Sequence, residues 1–434
     1  MLDMEANPKL GVDSGPAIGT EMGNFLSELY PICRSITGDG LRRTLQLIGS
    51  HIPLIIREVP TGTQVFDWTI PKEWNIREAY VQNSRGERII DYKSLNLHVV
   101  GYSVPVRQKM GLEELKQHLF SIPEHPDWVP YRTSYYAENW GFCISHGQLM
   151  SLQEDRYEVC IDSSIKDGSL SLGELLIPGE LKEEVLLSCH VCHPSLCNDN
   201  LSGIVVATYL AKHLLERRNR LSYRILFVPV TIGAIAWLAL NESVIPNIKN
   251  GLVLTCVGDG GKTTYKKSRR SNSEIDRAAM LVLKHSGQDY DLREFSPYGY
   301  DERQFCSPGI NLPVGCLMRT PNGCFPEYHT SADNLTFVKA ESLVDSFFKA
   351  ESILHILDNN RTYLNCLPKC EPQLGKRGLY KRPGTPEHLA QLWVLNLSDG
   401  HHTLLDIAEH SGNPFPLILE MALELERAEL LMEV

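Results

Sequence analysis

Two segments of this 434-residue chain carry side chains whose types and spacing suit metal chemistry. The first, Leu186–Gly203, reads LLSCHVCHPSLCNDNLSG. An apolar run leads into His190 and His193, Asp199 follows in an Asn-Asp-Asn loop, and Ser202-Gly203 opens a helix. Imidazole and carboxylate are good zinc ligands. A strand-to-helix turn also places them where an open parallel sheet forms its ligand crevice. The second segment is PEYHTSADNL, Pro326–Leu335. There His329 lies among aromatic and small polar residues, with Asp333 placed to orient the imidazole or cap the next helix. The candidate ligands are therefore His190, His193, Asp199 and His329. A strand ending at Ser188 puts His190 nearest the crevice, and the choice between it and His193 stays open.

These residues need a rigid frame, and the flanking pattern supplies one. Glu184–Ser188, Tyr223–Val230 and Gly251–Cys256 read as strands, and Met22–Ser50, Ser202–Arg217, Ser273–His285 and Ala340–Asp358 as helices. Such alternation predicts an α/β fold with a largely parallel sheet covered on both faces. Short β-prone runs at Val65–Trp68, Ala79–Val81, Arg88–Asp91 and Leu97–Tyr102 predict an inserted β domain. Pro368–Glu387 reads as a linker. Beyond it, Pro386–Leu397, Thr403–His410 and Pro416–Ala428 read as helices, the last two with helix–turn–helix spacing. The expected organisation is an α/β domain from residues 1–58 and 131–365, a β insert at 59–130, and a C-terminal domain at 366–434. Residues 1–20 read as a flexible leader.

Net charge is −11, which argues against a broad nucleic-acid or anionic-membrane footprint. The C-terminal helices carry Asp406, Glu409, Glu420, Glu424 and Glu426. They predict protein contact, a homo-oligomer interface included, rather than DNA contact. The longest apolar run, Ile225–Leu240, is broken by Pro and Gly and is too short for a membrane span. Twelve cysteines with no export signal point to a reducing, cytoplasmic setting.

The order strand–His, N-D-N-x-S-G and a distal Y-H-T-x-x-D resembles the leucyl aminopeptidase and glutamate carboxypeptidase group of zinc exopeptidases. A closer resemblance is to a bacterial family of aminopeptidase-like proteins, often found near polysaccharide or natural-product genes. It rests on LYPICRSITGDG (29–40), VFDWTIPKEWNI (65–76), NLHVVGYSVPV (96–106), VPYRTSYYAENWGFC (129–143), CHPSLCNDNLSG (192–203), TCVGDGG (255–261), SPGINLPVG (307–315) and PEYHTSADN (326–334). The resemblance implies a zinc-peptidase domain, an inserted β domain and a C-terminal winged helix. Its C-H-P word favours His193 as the ligand.

The chain departs from that pattern at the expected general base. Where the family word resembles P-E-T-I-G, this chain has Pro229-Val230-Thr231-Ile232-Gly233. Valine accepts no proton, and a positioned base contributes about 10²–10⁴-fold. Cys192 and Cys256 stand where two-metal enzymes carry Asp. One zinc is therefore expected, with a base drawn from Glu327, Asp301 or Glu302. Arg132, Tyr135, Tyr136, Arg303 and Arg319 are candidate substrate contacts, because arginine forks suit carboxylates. The expected activity is single-zinc hydrolysis of an amino-acid amide or small peptide-like biosynthetic intermediate. Zinc-dependent acyl transfer, other carbonyl chemistry and a non-catalytic zinc-binding role are the alternatives.

Overall fold

In the computed structural model, which describes residues 15–434, eight strands form one mixed sheet. They are β1 (Ile55–Pro60), β2 (Ser169–Ile177), β3 (Glu184–His190), β4 (Ser222–Val228), β5 (Ile248–Leu254), β6 (Thr263–Lys266), β7 (Tyr290–Arg293) and β8 (Val314–Met318). The spatial order is β1-β2-β4-β3-β5-β8-β6-β7. The middle four, β4-β3-β5-β8, are parallel. Antiparallel pairings attach β2 to β4 and β6 to β8. The expected parallel sheet is thus the centre of a mixed one. Every residue of β3 and β4 is buried, as a strand covered on both faces must be.

Six helices serve this sheet: α1 (Gly15–Leu29), α2 (Asp39–His51), α3 (Ser202–Leu215), α4 (Ile232–Leu240), α5 (Glu274–His285) and α6 (Ala340–Asn359). One apolar cluster joins α1, α2, α3, α5 and α6 to one face of the sheet. Another joins α4 and the insert to the other face. Two helix expectations need correction. The flexible leader overlaps α1 from Gly15 onward, and its first part, residues 1–14, lies outside the described residues. The single helix at 22–50 is two helices, because Pro31 and Gly38 bracket an extended loop.

The insert centres on a four-stranded sheet ordered Arg88–Asp91, Glu73–Gln82, Arg156–Lys166 and Val106–Gly111. Its longest strand, Arg156–Lys166, lies beyond the expected end at 130 and pairs with Glu73–Gln82. The run Leu97–Tyr102 is not a regular strand. A 3-10 turn covers Asn96–His98, and Tyr102 sits at φ 66°.

At the C terminus, α7 (Pro386–Leu397), α8 (Leu404–Ser411) and α9 (Phe415–Arg427) pack with a small sheet of Thr362–Asn365, Asp399–Thr403 and Leu431–Glu433. Three helices against a small antiparallel sheet make the expected winged-helix arrangement. A capping box starts α8, with Thr403 and Asp406 each satisfying the other's backbone N–H. No helix among the described residues is long and apolar enough to cross a membrane.

Candidate metal centre

The carboxyl end of β3 delivers the first imidazole. His190 is its last residue and pairs in register with Val228 of β4. Its Nε2 stands 3.0 Å from Asp199 Oδ1, and its ring stacks on Tyr300 at 4.8 Å. Thr255, one residue past β5, brings Oγ1 to 3.3 Å from the same nitrogen. The chain then turns so that His193 Nε2 lies 3.9 Å from Asp199 Oδ2. His329 arrives from the distal loop, with Nε2 2.9 Å from the same oxygen.

Asp199 is fully buried and is the hub of this arrangement. Burial opposes its ionisation, but the imidazoles of His193, His190 and His329 outweigh that and hold its carboxyl well below the usual range. Tyr300 donates to Oδ1 at 3.2 Å. The loop is held from behind by Asp333, which accepts the backbone N–H groups of Asn198 at 2.6 Å and Asp199 at 2.9 Å. Asp333 therefore braces the Asp199 loop, rather than orienting an imidazole or capping a helix. His329 is also braced. It sits at φ 57°, a region costly for a side-chain-bearing residue. Its carbonyl accepts the Tyr131 N–H at 2.7 Å, and Tyr328 stacks on its ring at 3.9 Å.

The donor set fits zinc. Ligand atoms of His193, Asp199 and His329 lie within 4.8 Å of one another. Nitrogen and carboxylate oxygen are the atoms such an ion takes. Burial pushes His193 well below its usual range, so its ring is the neutral, lone-pair form that ligates. A second group, His190, Cys192 and His193, overlaps the first through His193.

Other candidates are distributed unevenly. Val230, just past β4, donates its N–H to Cys192 Sγ at 3.4 Å, so no carboxylate stands at this strand end. Asp301 is fully buried with neither oxygen hydrogen-bonded. Burial first, then the neighbouring Glu302, pushes its carboxyl up to about 8. Glu302 does not serve as a free base, because Lys266 Nζ engages it at 2.8 Å. Glu327 is half-buried in the His329 loop. Arg319 is occupied by Asp345 of α6 at 2.6 Å and is no free fork for a carboxylate. Arg132 is exposed and lies over Phe120. Arg303 is half-buried with an unpartnered Nε. Tyr135 reaches the site indirectly, its hydroxyl 3.0 Å from that of Tyr131. Tyr136 is 54% exposed beside Trp68, so it lies outside the buried ligand cluster.

Sequence reasoning passed over Tyr131 and Tyr300. Tyr131 packs 5.1 Å from both His193 and His329. Both tyrosines stand beside charged residues that drew attention first, and no local spacing marks them.

A family model described as a domain of unknown function (DUF4910) matches residues 23–360, and a winged helix-turn-helix model matches residues 361–433. A Clostridium acetobutylicum protein, named as a polysaccharide biosynthesis protein with an aminopeptidase-like domain, is 53% identical over 425 residues. The match covers 97% of this chain and 98% of that one. A crystal structure named as a peptidase from Clostridium acetobutylicum superposes with a TM-score of 0.94 at 53% identity, covering 97% of this chain and 98% of that one. A zinc aminopeptidase from Bacillus subtilis matches with a TM-score of 0.58 at 11% identity, over 79% of this chain and 94% of that one. This last likeness is one of fold.

Proposed function

From a chain that belongs to the DUF4910 family and joins an aminopeptidase-like fold to a winged helix, we infer a single-zinc hydrolase. Its substrate is an amino-acid amide or a small peptide-like biosynthetic intermediate. The carrying observation is the convergence of His190, His193 and His329 on the ionised Asp199. The name of the 53%-identical relative places that protein in polysaccharide biosynthesis, which favours a biosynthetic intermediate over bulk peptide.

His190 or His193, together with Asp199 and His329, would hold the metal. Zinc supplies Lewis-acid polarisation of a carbonyl when bound. Asp199 is the anionic anchor, and Tyr300 and Asp333 keep it aimed. Tyr131 and Tyr328 pack against the His329 ring and fix its orientation. Asp301 retains its proton near neutral pH, which suits donation. Glu327 is left as the candidate proton acceptor, and its distance along the chain from His329 is two residues.

Val230 favours a second reading, in which the same centre performs acyl transfer or other carbonyl chemistry, or binds a ligand without turnover. The test joins metal analysis to aminoacyl-amide hydrolysis by the parent chain, Val230→Glu and His329→Ala. About one zinc per chain is expected, with slow parent turnover that His329→Ala abolishes. Gain of roughly 10²-fold or more is expected in Val230→Glu. Turnover confined to Val230→Glu would support the second reading. A chain prepared without chelator that carries no zinc would sink both.

A further inference from the structure

The loop between α1 and α2 carries a buried charge that the metal centre leaves unexplained. Arg34 is 1% exposed. Its hydrogen bonds all reach neutral acceptors: Nε donates to the His193 carbonyl, and Nη1 to the Leu29 carbonyl and Thr44 Oγ1. Its Nη2 has no partner, and no carboxylate pairs with the guanidinium among the described residues. The next residue, Ser35, is 3% exposed. Its buried Oγ has no hydrogen-bond partner among the described residues.

Arg34 and Ser35 line one cavity of about 10 Å³, whose walls include Cys33, Asn96, Tyr131 and Pro194. The centre of a water-sized sphere has that volume to move in, so one particle somewhat larger than water fits. Water would satisfy the two orphaned groups and leave the positive charge uncompensated. Isolated buried charge is strongly unfavourable unless paired. We propose that a single monatomic anion of chloride size occupies this cavity, bound by Arg34 Nη2 and Ser35 Oγ. Through Arg34 Nε and the His193 carbonyl, the anion steadies the peptide that carries one candidate ligand.

Crystals of the full chain soaked in bromide test this directly. An anomalous peak is expected in the cavity between Arg34 and Ser35. In solution, the thermal midpoint should rise with bromide or chloride and not with gluconate at equal ionic strength, because only a species that binds the native state stabilises it. Ser35→Ala should raise the halide concentration needed by roughly five-fold, the worth of one hydrogen bond. Arg34→Met should remove the halide effect. If Arg34→Met fails to fold, Ser35→Ala and the anomalous map of the parent chain still decide. A cavity without an anomalous peak, or equal midpoints in bromide and gluconate, overturns the proposal.

Discussion

The side chains of the centre differ in how they meet burial. Asp199 stays ionised because three imidazoles surround it. Asp301, equally buried, has no hydrogen-bond partner and is pushed up from 3.8 to about 8. That difference has a measurable sign. In the native state Asp301 keeps a proton that the unfolded chain releases above its ordinary value. Its stability contribution is fully present below pH 3.8 and falls as pH rises through about 8. Asp301→Asn, which cannot ionise, should therefore flatten the decline of stability between about pH 5 and 8. Thermal unfolding across that range checks it. Equal slopes for parent and variant would mean that the native carboxyl is already charged. The candidate ligands were legible as residues because His, Asp and His stand in short words at element ends. The bracing by Tyr131, Tyr300 and Asp333 was not, because each acts across a long sequence separation.

Among the elements, the start of α3 is the tightest fit. Gly203 leaves no room for a side chain, since a Cβ would collide with the Asn200 amide and the Leu254 carbonyl. Leu254 ends β5, and the next residue, Thr255, contacts His190. Gly203→Ala should cost about 1–3 kcal/mol through overpacking and should lower zinc retention. Gly23 of α1 has nothing near its would-be Cβ. Gly23→Ala should instead be neutral or stabilising by about 0.5–1 kcal/mol. Denaturant unfolding with metal analysis separates the two, and a similar loss in both would defeat the steric account. The central strands were legible because they are continuous apolar runs. Arg156–Lys166 escaped because its burial follows no period-two alternation, with Val159, Cys160 and Ile161 buried in succession, and its pairing partner lies across the insert. The last two strands at that end of the sheet, β6 and β7, are only four residues each, too short for periodicity to reveal.

At the scale of the whole molecule, the winged helix is fused to the sheet's helical layer rather than hung from it. One apolar cluster runs from Leu354 and Leu357 of α6 into Leu405, Ile407 and Phe415 of α8 and α9. Arg277 of α5 bridges to Asp406 and Glu409 of α8, each at 2.5 Å. The C-terminal domain should therefore melt together with the helical layer. Arg277→Ala should lower that shared transition by about 1 kcal/mol or less, since the pairs are partly exposed. Calorimetry showing an earlier, separate C-terminal transition would refute this coupling. The His329–Asp199 contact has a consequence for the order of assembly. The two residues are 130 positions apart, and closing a flexible loop of that length costs about 4 kcal/mol in chain entropy. A nascent chain can present His190, His193 and Asp199 to a passing ion long before His329 is in reach. Metal captured during synthesis would be held by an incomplete grip, and the last imidazole would act as the latch that makes its release slow.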